Sequence, residues 1–293
     1  VLYDKGLYRQ SLDVLDKAKG RAIENEYYAI HLEILDFEKH IESQYITRSI
    51  EGRAETLTEE TLQLNKTIHD FNVLSNLSLQ LYGLYLKVGY VRSEKEYFFV
   101  KDFFQRNLPH TDLNSLSFLG NLYYFQSHVW YYYMTHEFAF CYRYAQKWVD
   151  LYEGRDELIQ SHPALYLKGI HNLLNALFNV QHHEKFVEGL NKLQHFPEVY
   201  QIKRNKNIEG LFNLYKYIHT IKLHFMQGTF DEGLEIIPEL EKIIEEDAFN
   251  WDSHRVMVFY YRIACLYFGS GDNDRAITYL NKIINQKNPD YRA

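Results

Sequence analysis

The chain has only two cysteines, Cys141 and Cys265, far apart in a sequence of 293 residues. Two such thiols make neither a disulfide framework nor a zinc site. They suit a reducing compartment, so a cytoplasmic location is expected. Proline is nearly as scarce, at 5, and glycine stands at 14. With 46% hydrophobic and 16% aromatic residues beside them, these counts exclude a collagen-like, low-complexity or disordered chain. An excess of positive charge is also missing. The formal net charge of −7 opposes generic binding to nucleic acid or to an anionic membrane surface. The opening stretch VLYDKGLYRQ shows no basic segment followed by an apolar run, so no secretory leader is visible. Between Asp112 and Glu137 no residue carries a formal charge, a stretch long enough to span a membrane. It contains Asn114, Ser115, Ser117, Asn121, Gln126, Ser127, His128 and Thr135, which are costly in hydrocarbon, so a buried helix is expected and no membrane insertion.

What is present is helical periodicity. Apolar residues recur at three- and four-residue steps almost throughout, while β-branched alternation and Asn-Gly hairpin signals are absent, which predicts an all-α chain. The length exceeds what one compact core usually organises, so either two domains or an array grown by repetition is expected. Near the end, Ile263, Leu266 and Tyr267, then Ile277, Leu280, Ile283 and Ile284, form two apolar stripes flanking Gly269-Ser270-Gly271-Asp272, the pattern of a helix hairpin. Similar turns fall at Gly6, Gly89, His136, Gln181, Gly228 and Gly271, with gaps of 83, 47, 45, 47 and 43 residues. The first gap is close to twice the others, so one degenerate unit is expected between Gly6 and Gly89. Self-similarity at a fixed period signals a solenoid.

The last repeat resembles a tetratricopeptide repeat (TPR), through Tyr260, Ile263, Ala264, Tyr267, Gly271, Ala276, Leu280, Ile283 and Pro289. The stretches Gly271–Ile277, Gly228–Leu234 and Gly6–Leu12 carry its most specific part, and the units around His136 and Gln181 match more loosely. Around Gly89, Glu94 stands where the family has a small residue. The resemblance implies one TPR-like α-solenoid domain over 1–293, with 20–75 a degenerate repeat region. Its implied form is a right-handed superhelix of about six to seven helix hairpins, with repeats longer than the usual ~34 residues. Small residues such as Ala264, Gly233 and Ala276 are expected where the helices of a hairpin cross. Second helices are expected near 7–19, 57–71, 93–107, 137–153, 183–194, 230–245 and 273–286, and first helices near 23–48, 72–88, 113–134, 163–180, 206–227 and 253–269. Leu2 aligns with Tyr267, so the chain is expected to begin inside a repeat and to be part of a longer protein.

Function in such arrays lies on the concave face, which the first helices line. Counting back from the turns places Asn76 and Gln80, then Tyr123, Gln126, Trp130 and Tyr133, then Lys168, His171, Asn172 and Asn175, then Tyr215, His219 and Lys222, then Tyr261 and Arg262, along that face. This aromatic, amide-rich set is positive where it is charged, although the whole chain is acidic. It suits an extended peptide bearing acidic groups or a carboxylate. Lys168, Asn172, Asn175 and Arg262 partly resemble the carboxylate clamp of some TPR domains, but His171 stands where one clamp lysine belongs. In the aromatic run 123–133, Tyr124, Tyr131 and Tyr132 are expected to pack between hairpins.

No HExxH, CxxC, GxSxG, Walker or dinucleotide motif occurs, and His182-His183 diverge by about 100 degrees on a helix, so no metal, cofactor or catalytic residue is expected. The acidic run Glu239, Glu241, Glu245, Glu246 and Asp247 reads as a solvated helix face. A protein-interaction scaffold, the regulatory part of a larger protein, leads; an RNA-binding helical-repeat protein is second, since its groove would need more cations, and an enzyme is third.

Overall fold

Local chemistry sets many of the helix ends. Asn205 accepts from the amides of Asn207 and Ile208, Asp252 from Arg255, Asp272 from Arg275, Ser93 from Glu96 and Ser117 from Gly120. Each side chain satisfies a backbone donor that a first helical turn leaves open. The computed structural model describes residues 1–44, 52–201, 205–246 and 248–285. Asp247, Pro289 and the end of the helix expected over 23–48 lie outside them. Regular structure is all-helical, with no strand among the described residues. The chain forms two compact units, Val1–Glu137 and Phe138–Ala293.

The N-terminal unit contains α1 (Tyr8–Glu24), α2 (Tyr28–Gln44), α3 (Arg53–Val88), α4 (Glu94–Asn107) and α5 (Phe118–Met134). Helix α1 packs on α2, α2 on α3, and α3 along α5. Spacing predicts two helices over 57–71 and 72–88, whereas the structure has one helix of 36 residues. Nothing between Ile68 and Leu74 interrupts it: there is no glycine or proline, and buried Leu57, Leu64, Leu74, Leu77 and Leu81 continue the apolar stripe. The helix expected over 7–19 likewise runs on to Glu24, and the chain turns at Glu26. The stretch between Gly6 and Gly89 is therefore a short hairpin followed by a long helix.

Glu26 holds a left-handed φ of 54°, unusual for a residue with a Cβ. Its carboxylate accepts the amides of Phe118 at 2.8 Å and Leu119 at 2.7 Å, at the start of α5, and the Tyr28 hydroxyl also donates to it. An anion on open helix amides is a stabilising arrangement that offsets the local strain. A second polar knot joins the first three helices: the buried Lys19 ammonium of α1 reaches Glu38 of α2 at 2.9 Å and Glu60 of α3 at 3.2 Å. Arg53 lies 3.3 Å from the same Glu38.

The C-terminal unit contains α6 (Phe138–Asp150), α7 (Asp156–Ser161), α8 (Pro163–Asn179), α9 (His183–Val199), α10 (Lys206–Gln227), α11 (Phe230–Gly233), α12 (Ile237–Glu245), α13 (Ser253–Ser270) and α14 (Asn273–Ile284). Helix α8 packs on α6, α9 and α10, while α13 packs on α10, α11 and α14. The helix expected over 230–245 is split by a 3-10 turn at Leu234–Ile236. Pro238 explains the break, because its ring collides with the carbonyl four residues back, that of Leu234, and it has no N–H to donate.

Six turns share one backbone device. At Gly6, Glu26, His136, Gln181 and Gly271 the residue of positive φ donates its N–H to the carbonyl three residues back. The next residue then donates five back, as Asp272 does to Tyr267 at 2.9 Å. At Gly228 the second bond is present and the first reaches four residues back, to His224. This closure satisfies the last carbonyls of a helix. Gly89 departs from it, with φ 71° and ψ −138°, a setting suited to glycine alone. Helices approach at Gly233, one of the expected small-residue positions, where a Cβ would meet Leu266 at 2.9 Å; they approach equally at Gly269, which was not among them, where a Cβ would meet the Phe230 ring at 2.4 Å.

Candidate functional site

In the C-terminal unit, α8, α10 and α13 carry nine of the expected groove residues, and several of these meet side chain to side chain. Asn175 and Lys222 each stand six residues before the turn that ends their helix, at Gln181 and Gly228, so equivalent positions face each other across α8 and α10. The Lys222 ammonium donates to Asn175 Oδ1 at 2.6 Å and lies over the Phe178 ring at 4.7 Å from its centre. Asn175 Nδ2 is 3.0 Å from His171 Nε2, and His171 Nδ1 is 2.9 Å from His219 Nε2. Tyr215 stacks on the His171 ring with centroids 4.0 Å apart.

The proton positions follow from one end. A charged lysine only donates, so the Asn175 oxygen must face it and the amide nitrogen must face His171. His171 Nε2 is then an acceptor, its proton sits on Nδ1, and that proton is donated to His219 Nε2. The remaining His219 proton sits on Nδ1, an atom that is buried and has no hydrogen-bond partner. Both rings are thereby neutral. Burial first, then the positive charges of Lys222, Arg262 and Lys168, hold His171 well below the usual imidazole range. Burial, followed by His171, Lys222 and Arg262, does the same to His219. Burial and then Arg262 bring Lys222 down to about 7, and burial lowers Lys168.

The other expected residues are placed differently. Asn172 is buried and donates to the Lys168 carbonyl at 2.8 Å, so it serves its own helix. This separates it from Asn175 and leaves the clamp-like pattern incomplete. Tyr261 is exposed on α13. In the N-terminal unit Asn76 and Gln80 are exposed on α3. Tyr123 is half-buried with its ring edge-on to Phe71, and Tyr133 is half-buried against Tyr85 and Tyr90. Gln126 and Trp130 are buried, and Trp130 packs against Tyr82 and Tyr85 of α3 in the α3–α5 interior. Of the three aromatics expected to pack, Tyr131 is buried and stacks on Phe104 at 4.3 Å, while Tyr124 and Tyr132 are half-buried.

Spacing does not single out Phe178, whose ring covers Lys222, because on α8 it reads as one apolar residue among many. Glu26 was equally hidden, since its partners are 92 and 93 residues away. Among the described residues no cluster of three or more His, Cys, Asp or Glu could hold a metal ion. Among them, too, no helix is long and apolar enough to cross a membrane. Neither cysteine forms a disulfide, and burial pushes the Cys141 thiol up to about 12. Searches of family models, curated proteins and solved structures find no match to this chain.

Proposed function

We propose that the C-terminal unit is a TPR-like protein-interaction module, its hairpins wound in the right-handed sense of that family, which binds an extended peptide carrying acidic groups or a carboxylate. One observation carries this reading: Lys222, Asn175, His171 and Tyr215 converge from α8 and α10, with the Arg262 charge of α13 acting on the same rings. Three first-type helices thus contribute cations, an amide and an aromatic face to one neighbourhood, the mixture that grips peptide backbone and carboxylate together. No acid accompanies these cations on α8 or α13. The test is binding of a fluorescent degenerate octapeptide library to the full chain and to an Asn175→Ala, Tyr215→Ala double variant of unchanged helicity. Loss of library binding in the variant supports the reading. Equal binding by both proteins would move the interaction to another surface, and competition by single-stranded RNA at low salt would favour nucleic acid instead.

A further inference from the structure

The end of α1, the start of α2, the first half of α3 and the residue before α5 enclose a cavity of about 280 Å³ inside the N-terminal unit. Ala22, Ile23 and Leu64 give it an apolar side. Its polar side holds two carboxylates, Glu26 and Glu60, and, among the described residues, no lysine or arginine. Hydrogen bonding decides what the other polar groups have left to offer. His31 is 8% exposed, and its one hydrogen bond among the described residues joins Nε2 to Glu60 Oε1 at 3.2 Å. A carboxylate only accepts, so the ring proton sits on Nε2 and the neutral imidazole keeps an acceptor at Nδ1. Thr67 donates its hydroxyl proton to the Gln63 carbonyl at 3.1 Å, which leaves its oxygen an acceptor as well. Tyr28 gives its single proton to Glu26, so its 2.6 Å contact with Ser117 is a donation from Ser117. Every hydroxyl and imidazole proton of the lining is thus committed inside the protein, and what remains for a guest is acceptors and negative charge.

The charges around the cavity point the same way. Four carboxylates, Asp16, Glu38, Glu42 and Glu60, lie within 4.0 Å of one or the other of two cations, Lys19 and Arg53. Burial pushes the Glu38 carboxyl up. Counting Glu38 as neutral still leaves three acids to two cations, with Glu26 a further negative charge in the cavity wall. A metal ion does not suit this wall, since among the described residues no three His, Cys, Asp or Glu come together to hold one. An ammonium group suits it: it brings one positive charge and three N–H donors, and hydrocarbon attached to it meets Ile23 and Leu64. The volume is near the lower end of small-molecule sites, so the body of such a ligand is compact. We propose that this cavity binds a small organic ammonium, a primary amine with a compact apolar body, whose charge rests on Glu60 and whose protons are accepted by Glu60, His31 and Thr67. The proposal is independent of the peptide reading, which concerns the other unit.

The experiment titrates the full chain, at neutral pH and constant ionic strength, with phenethylammonium chloride and with its neutral isostere 2-phenylethanol, following the backbone amide resonances of α2 and α3. Two variants accompany the wild type: Glu60→Gln removes the charge, and Thr67→Leu fills the cavity while keeping both carboxylates. Circular dichroism verifies that each folds, and if Glu60→Gln does not, Thr67→Leu decides. The expected result is a saturable response of the wild type to the ammonium, weakened about tenfold or more for the alcohol and in each variant. Equal binding of ammonium and alcohol would reduce the site to an apolar cavity and overturn the proposal. Undiminished binding by Thr67→Leu, or no saturable response in the wild type, overturns it too. A free amine and the lysine of another protein share this chemistry, and an acetylated, amidated Gly-Gly-Lys-Gly-Gly peptide separates them. Binding of the peptide as tight as that of the free amine assigns the ammonium to a lysine side chain, and binding about tenfold weaker or absent assigns it to a free small amine.

Discussion

Replacing Lys222 by methionine is expected to make the protein more stable. Methionine keeps the length and flexibility of the side chain and removes its charge. In the fold the lysine is brought from 10.5 down to about 7, chiefly by burial. At about 1.4 kcal/mol per unit, holding it charged costs roughly 5 kcal/mol relative to the unfolded chain. The substitution also strips Asn175 Oδ1 of its donor, a loss of about 1–3 kcal/mol. The net expectation at neutral pH is a gain of roughly 2–4 kcal/mol for Lys222→Met. Its pH dependence is the sharper signature. Because the folded-state value lies below the unfolded one, the unfolded wild type holds one more proton between about 7 and 10.5, and wild-type stability rises across that window. The variant lacks this gain, so its advantage is full below about pH 7 and shrinks by about 1.4 kcal/mol for each pH unit above it. Urea unfolding of both proteins, followed by circular dichroism from about pH 6 to pH 9, measures the difference directly. An advantage that stays constant over that range, or a variant less stable than wild type at the acid end, refutes the reasoning.

Other substitutions probe the two units separately. Lys19→Met leaves the fully buried Glu38 with Arg53 as its remaining cation and is expected to cost about 3–5 kcal/mol, most of it recovered when Glu38→Leu is added; urea melts of the single and double variants decide. Glu26→Gln replaces two anionic acceptors at the start of α5 by one neutral carbonyl and should cost about 1–2 kcal/mol, with faster amide exchange at Phe118 or Leu119 in native-state hydrogen exchange. Unchanged exchange at both amides would sink that account. Gly269→Ala drives a Cβ to within 2.4–2.7 Å of the Phe230 ring and should lose about 1–3 kcal/mol, and the loss should be non-additive with Phe230→Leu in a double-mutant cycle.

Particular elements show why some of this was legible in the sequence. Helix α10 was expected at 206–227 and spans Lys206–Gln227, because both ends are local: Asn205 caps the first amides and Gly228 supplies the left-handed residue. The meeting of Asn175 with Lys222 follows from equal offsets to successive turns, which a repeat frame makes visible. That frame does not reveal the amide orientation, the proton positions or Phe178, since these depend on the distances at which α8 and α10 settle.

In the N-terminal unit the same periodicity was less informative. The hairpin at Glu26 carries no glycine to mark its turn and falls outside the period of the other turns, and the compensation comes from amides of a helix remote in sequence. Trp130 points inward because the long α3 lies along α5, and neither the continuity of α3 nor its packing partner is written in local pattern. By itself, the sequence determined that the chain is helical, where most of its turns fall and which residues could share a face, since helix periodicity and turn chemistry act over a few residues. Tertiary packing decided which polar residues were buried and which met, and so set the Lys222 ammonium against Asn175 and the Phe178 ring with the Arg262 charge acting on it, because burial and such meetings arise only when distant helices come together.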